Sequence, residues 1–141
     1  MDERSSQKRR HARISTPALL FFVALLIAPA LGLVRISDSV GWQFAAGYTL
    51  AMCGLTFLAY WHDKRRAQQD GWRTPESTLH LMELSGGWPA AFLAQRFLRH
   101  KIVKRDYQVN FWAIVVLHQY LWIDYLQDWR LIGWATAALQ R

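Results

Sequence analysis

Two short runs bring acids, bases and a phenol to spacings that suit ligand chemistry. In the first, Tyr60, Asp63, Lys64 and Ala67 stand at i, i+3, i+4 and i+7, so a helix through them puts all four on one face. In the second, Arg99, His100, Lys101 and Lys104 follow an apolar stretch, and Arg96, Arg99 and His100 gather on one side of a helix. Cations presented by a helix and the turn after it suit a phosphate, and Arg adds bidentate geometry. Arg73 and Glu76 lie between the two runs. Asp63 and Glu76 are expected to orient the basic side chains by pairing with them. The expected ligand-binding set is Tyr60, Asp63, Lys64, Arg73, Glu76, Arg99, His100, Lys101 and Lys104. The expected ligand is an anionic lipid headgroup or another phosphate-bearing molecule.

Other chemistries have less support in the residues. The same charges also fit an ordinary cytoplasmic anchor of a membrane protein. His80 and Glu83, at i and i+3, could join His62, Asp63 or His100 at a metal, but helical carboxylate metal proteins bring a second set of ligands. One pair is too few, so no metal ligand is assigned. An enzyme would use His100 for proton transfer with Glu83 as its partner. An Arg-His pair after an intramembrane segment loosely resembles small membrane methyltransferases, which follow it with Pro where this chain has Lys101. The sequence holds no phosphate-cradling glycine loop, nucleophile elbow or zinc-protease helix motif. No catalytic residue or cofactor is assigned, and the expectation is a non-enzymatic protein. Cys53 is the only cysteine, which excludes an intrachain disulfide and a cysteine-cluster metal site.

The elements that must position these groups are apolar helices. With 52% hydrophobic residues and eight Trp in 141 residues, the chain carries longer apolar runs than a soluble domain of this size needs. Of its 17 Lys and Arg, five fall in residues 4–13 and nine in residues 64–105. Basic clusters beside apolar spans face anionic lipid on the cytoplasmic side. Residues 1–16 therefore read as a basic, disordered cytoplasmic tail, and residues 17–141 as a single helical membrane domain. Three transmembrane helices are expected, at about residues 17–35, 40–61 and 109–125.

Pro17 suits a first helical turn, and Pro29 is expected to kink the first span. Basic residues, an apolar run and Ala28-Pro29-Ala30 also match a cleavable signal peptide, but the run continues through Leu31, Leu33 and Val34 to the length of a span. Trp42 and Trp61 lie about 28 Å apart along a helix, close to the hydrocarbon thickness, and so mark both interfaces. In the third span Tyr107, Trp112, Trp122 and Tyr125 are expected as interfacial anchors, with His118 and Gln119 bonding between helices. Residues 129–139 are too short to span and read as an interfacial helix or a segment packed back on the bundle. The small residues Ala46, Gly47, Ala51 and Gly54 permit close contact within the chain, in a homo-oligomer or with a membrane-protein partner.

Residues 75–100 read as a helical hairpin. Thr74 is the expected N-cap, Pro75 and Glu76 open the first helix, Gly86 and Gly87 end it, and Pro89 begins the second. Charge puts the tail and both basic clusters inside and Ser37-Asp38-Ser39 in an outside loop. The hairpin then lies on the cytoplasmic face or re-enters the membrane.

Four ordered motifs carry a resemblance: Tyr60-x-x-Asp63-Lys64-x-x-Ala67, Trp72-Arg73-x-Pro75-Glu76, Gly86-Gly87-Trp88-Pro89-x-Ala91, and Arg99-His100-Lys101-x-x-Lys104. Over about residues 55–120 the chain resembles an uncharacterised family of small bacterial inner-membrane proteins, often fused behind a cold-shock domain. The resemblance implies a multi-pass protein with a cytoplasmic N-terminus. Here a basic tail stands in place of the cold-shock domain, so no direct nucleic-acid binding is expected. The expected partners are anionic membrane lipids.

Overall fold

The structure, a computed structural model, describes residues 14–69 and 74–139. The basic tail falls mostly on residues 1–13 and Arg73 within 70–73, both outside the described residues. The described residues form an all-helical bundle with no strand among them: α1 (Thr16–Val40), α2 (Trp42–Gln68), α3 (Glu76–Met82), a π-helical turn (Glu83–Gly87), α4 (Trp88–Leu98), α5 (Arg105–Leu126) and α6 (Arg130–Leu139).

Two helices, not the three expected, are long and apolar enough to cross a membrane: α1 and α2. At 22 residues α5 has the length, but Gln108, Asn110, His118, Gln119 and Asp124 make it too polar. The loop expected at Ser37-Asp38-Ser39 is instead the last turn of α1. Gly41 alone joins α1 to α2, at φ 87°, a backbone angle that a side chain would strain. α1 also runs through Pro29 without interruption.

The core gathers where α4 lies against α1, α2 and α5. Phe22 of α1 stacks on Phe92 at 4.7 Å and meets Trp88 edge-on at 6.4 Å. α5 runs parallel to α1: Trp112 lies beside Phe21, the Gln119 amide donates to the Leu25 carbonyl, and Arg35 donates to the Tyr125 and Leu126 carbonyls. Gln119 thus makes the expected interhelical bond, whereas His118 bonds within its own helix, to the Ile114 carbonyl. Gly32 lets the Trp122 ring approach, since a Cβ there would sit 2.1 Å from it.

α3 and α4 form a hairpin laid along α2. Its two ends sit by Asp63 and Lys64, while its tip reaches Tyr48, whose hydroxyl donates to the Ser85 carbonyl at 2.7 Å. Fifteen residues of α2 separate Asp63 from Tyr48, so the hairpin reaches about 22 Å. Gly86 makes the reversal possible at φ 104°. The expected N-cap at Thr74 does not form. α3 begins at Glu76, no side chain caps it, and the Thr74 amide is bonded to Asp63 instead. α6 has no buried residue, so it does not pack back on the bundle. Its first amides, at Leu131 and Ile132, are held by the buried carboxylate of Asp124.

Gly87 is the tightest point of the hairpin, where a Cβ would lie 1.9 Å from Thr56 Oγ1. Gly87→Ala is expected to destabilise the protein by about 1–3 kcal/mol through overpacking, read as a lower midpoint of thermal unfolding in detergent. Adding Thr56→Ala should recover part of that loss.

Candidate functional site

Two tiers of polar side chains occupy the mouth and inner wall of the hairpin. The outer tier is built on Asp63, which is nearly fully buried on the inward face of α2. Its Oδ1 accepts the Thr74 amide at 3.0 Å, and its Oδ2 lies 2.7 Å from His100 Nε2 and 3.1 Å from Lys101 Nζ. Glu76 holds Lys104 at 2.7 Å and Lys101 at 3.6 Å. Lys64 donates to the Leu98 carbonyl at the end of α4. These contacts tie residues 98–104 to the end of α2 and the start of α3.

The chain reaches this arrangement through an unfavourable turn. α4 stops at Leu98, and Arg99 (φ 47°) and Lys101 (φ 63°) both take left-handed conformations. Each costs about 1–2 kcal/mol for a residue with a side chain. The turn rotates His100 and Lys101 toward Asp63 and leaves Arg99 exposed. Arg96, Arg99 and His100 therefore do not share one helix face as expected, because the helix ends before the last two. Arg96 instead stacks over Phe92.

The inner tier is centred on Glu83, fully buried in the π-helical turn. Its Oε1 accepts the hydroxyls of Tyr60 and Tyr107, the second at 2.8 Å, and its Oε2 lies 2.7 Å from His80 Nδ1. The two phenol oxygens are themselves 2.5 Å apart. Gln95 donates to the Tyr60 oxygen, and Gln108 donates to Gln95 and to the Lys101 carbonyl. His80 stacks on the Tyr107 ring, and the Lys101 ammonium lies 4.8 Å from the centre of the same ring, so Tyr107 joins the tiers.

Of the expected set, the structure brings together Asp63, Glu76, His100, Lys101 and Lys104, with Lys64 beside them. Tyr60 belongs to the inner tier, and Arg99 stands apart in solvent. The pairing of His100 with Glu83 does not form, since His100 is bound to Asp63 and Glu83 to His80. Sequence reasoning missed Gln95 and misplaced Tyr107, which is a buried partner of Glu83 rather than an interfacial anchor. The signal for Tyr107 was its spacing: Tyr107, Phe111 and Val115 recur every four residues as one stripe, and all three are buried. Among the described residues no three His, Cys, Asp or Glu side chains converge as a metal site would require.

Residues 54–107 match a family model described as a protein of unknown function (DUF1294). The match covers less than half of the chain, yet it contains Asp63, Glu76, Glu83, Gln95, His100, Lys101, Lys104 and both tyrosines of the inner tier. It is consistent with the resemblance to an uncharacterised family. No curated protein and no solved structure matches the chain.

Glu76 titrates below the usual carboxylate range, chiefly through the hydrogen bond from Lys104, with Lys101 assisting and partial burial opposing. A carboxylate lowered on folding stabilises the fold above its unfolded value of about 4.3, and the contribution disappears as pH falls through the folded value. Unfolding midpoints measured from pH 7 to pH 3 should therefore fall less in Glu76→Gln than in the parent protein. Tyr60→Phe leaves the Gln95 amide without its partner and Glu83 with one phenol fewer, which should cost about 1–3 kcal/mol in the same assay.

Proposed function

We propose that the chain is a non-enzymatic, multi-pass inner-membrane protein that binds an anionic lipid headgroup or a related phosphate at the cytoplasmic mouth of its hairpin. Support for the membrane comes first from α1 and α2. Only 17% and 11% of their apolar windows are buried, and Leu20, Val23, Ile27, Leu31, Leu50 and Leu58 face outward. A core helix of a water-soluble bundle would hide such residues. α5 is the proposed third crossing. Three of its polar side chains have partners within the protein, His118 on Ile114, Gln119 on Leu25 and Asp124 on the first turn of α6, which lowers the cost of placing them at depth. With α2 across the bilayer, the hairpin re-enters from the cytoplasmic side, and its internal bonding meets the demand that no backbone group face lipid unsatisfied. Basic charge at the hairpin mouth sets the inside orientation.

The observation that carries the ligand is the position of Arg99. It is exposed, it makes no ion pair among the described residues, and it holds a strained left-handed backbone beside two lysines already engaged by Asp63 and Glu76. Strain of this kind persists where the surroundings enforce it and often marks a binding site. Arg105, exposed at the start of α5, adds a second cation without an ion pair among the described residues. Lys101 and Lys104 contribute field without leaving their carboxylates, and Asp63 and Glu76 keep them in place.

Arg99→Gly separates placement from charge. Glycine relieves the left-handed strain, so the unfolding midpoint should hold or rise. Affinity for short-chain phosphatidylglycerol over phosphatidylcholine, titrated in detergent at low salt, should fall about tenfold, on the order of 1.4 kcal/mol. An unchanged preference for the anionic lipid overturns the headgroup reading.

Orientation has its own test. Val103 is 96% exposed, so Val103→Cys in a Cys53→Ser background offers a reactive thiol. An impermeant reagent should leave it unlabelled in intact cells and label it in inverted vesicles.

A further inference from the structure

A hairpin that reaches only part of the way along α2 leaves the remainder of the bundle without a fourth element. Beyond its tip lies a cavity of about 620 Å³ between α1, α2 and α5, with Leu84, Ser85 and Gly86 as its floor. Its walls come from α1 between Leu26 and Val40, α2 between Phe44 and Cys53, and α5 at His118 and Trp122. No Lys, Arg, Asp or Glu lines it.

Most of the polar side chains that line it are already committed. Tyr48 donates to the Ser85 carbonyl, Ser85 Oγ to the Leu81 carbonyl, Thr49 Oγ1 to the Ala45 carbonyl, and His118 Nδ1 to the Ile114 carbonyl. A water molecule needs two to four polar partners to stay in a cavity, and few remain here. An ion or a sugar would lose its solvation with little in return. Hydrocarbon loses nothing by entering, and the volume falls within the range of small-molecule sites, about 300–1,000 Å³. The flanking surfaces of α1 and α2 are apolar as well, so a chain lying against them can enter from the side.

The geometry points to this cavity as a binding site for one hydrocarbon chain of a lipid, entering from the leaflet opposite the hairpin mouth. The inference rests on the reading that α1 and α2 cross a bilayer. It adds a site distinct from the headgroup site, facing the other leaflet and recognising a tail in place of a phosphate. Cys53 lies in its wall, and Leu20 and Phe57 face outward elsewhere on the same helices.

The full chain is reconstituted in vesicles of phosphatidylcholine and phosphatidylglycerol containing a trace of phospholipid with a photoreactive diazirine in its acyl chain. After irradiation, adducts are mapped by peptide mass spectrometry. The site predicts adducts on Met52, Cys53 and Leu84 at least fivefold more frequent than on Leu20 and Phe57. Filling the cavity with Cys53→Trp, or with the milder Ala45→Leu, should abolish that excess while the outward positions continue to react. Equal labelling of cavity and outward positions means ordinary surrounding lipid only, and overturns the site while leaving the membrane reading intact. Absence of adducts from α1 and α2 altogether overturns both. An excess that survives both filling variants, each shown to be folded by its thermal midpoint, also overturns the site.

Discussion

A carboxyl group with no solvent exposure must find its hydrogen-bond partners inside the protein, and Glu83 draws on four elements to do so. Its own π-helical turn presents it, α3 supplies His80, α2 supplies Tyr60 and α5 supplies Tyr107. α4 completes the set through Gln95, which bonds to Tyr60. Burying such a group without partners would cost several kcal/mol, so the packing of all five elements is constrained by one side chain. The reversal at Gly86 and Gly87 lets α3 and α4 both lie along α2 around this group. Glu83 keeps ordinary helical angles (φ −60°, ψ −46°) at the end of α3, the chain kinks at Gly86 (φ 104°, ψ 0°), and Gly87 then lies against the Thr56 side chain.

The outer tier works by a different logic. Asp63 is supplied by α2, but its cations come from a turn that the backbone disfavours at two residues. Local preference and tertiary pairing oppose each other there, and the pairing prevails. The result resembles a clasp: the chain leaving α4 is held to the chain entering α3, which closes the open end of the hairpin. Charge near the mouth therefore divides into two groups. Lys101 and Lys104 maintain the architecture, whereas Arg99 and Arg105 remain exposed.

Much of this was legible in the sequence, for physical reasons that differ by residue. The shared face of Tyr60, Asp63 and Lys64 followed from helical periodicity, and that face is the one turned inward. The reversal at Gly86, Gly87 and Pro89 followed from backbone conformation, which is a local property. The left-handed turn at Arg99 did not, because nothing in those residue types favours it. It exists only once Asp63 and Glu76 are near. Tyr107 was misread because an aromatic residue near the end of an apolar helix fits an interfacial belt as well as a buried partner does. The expected count of three membrane-length helices fell to two because α5 has the length of a span but carries Gln108, Asn110, His118, Gln119 and Asp124 along it.

The incomplete reach of the hairpin also gives the molecule unequal ends. On the mouth side of Gly86, α1 to α5 pack together; past it only α1, α2 and α5 continue, and α6 alone adds girth at the far end. Set in a bilayer, such a body displaces more area from one leaflet than from the other. Neighbouring lipids must compensate by splaying or tilting, at least cost where the sheet is already bent. Many copies together would then favour one sign of curvature, a bias that originates in where a single glycine turns the chain around.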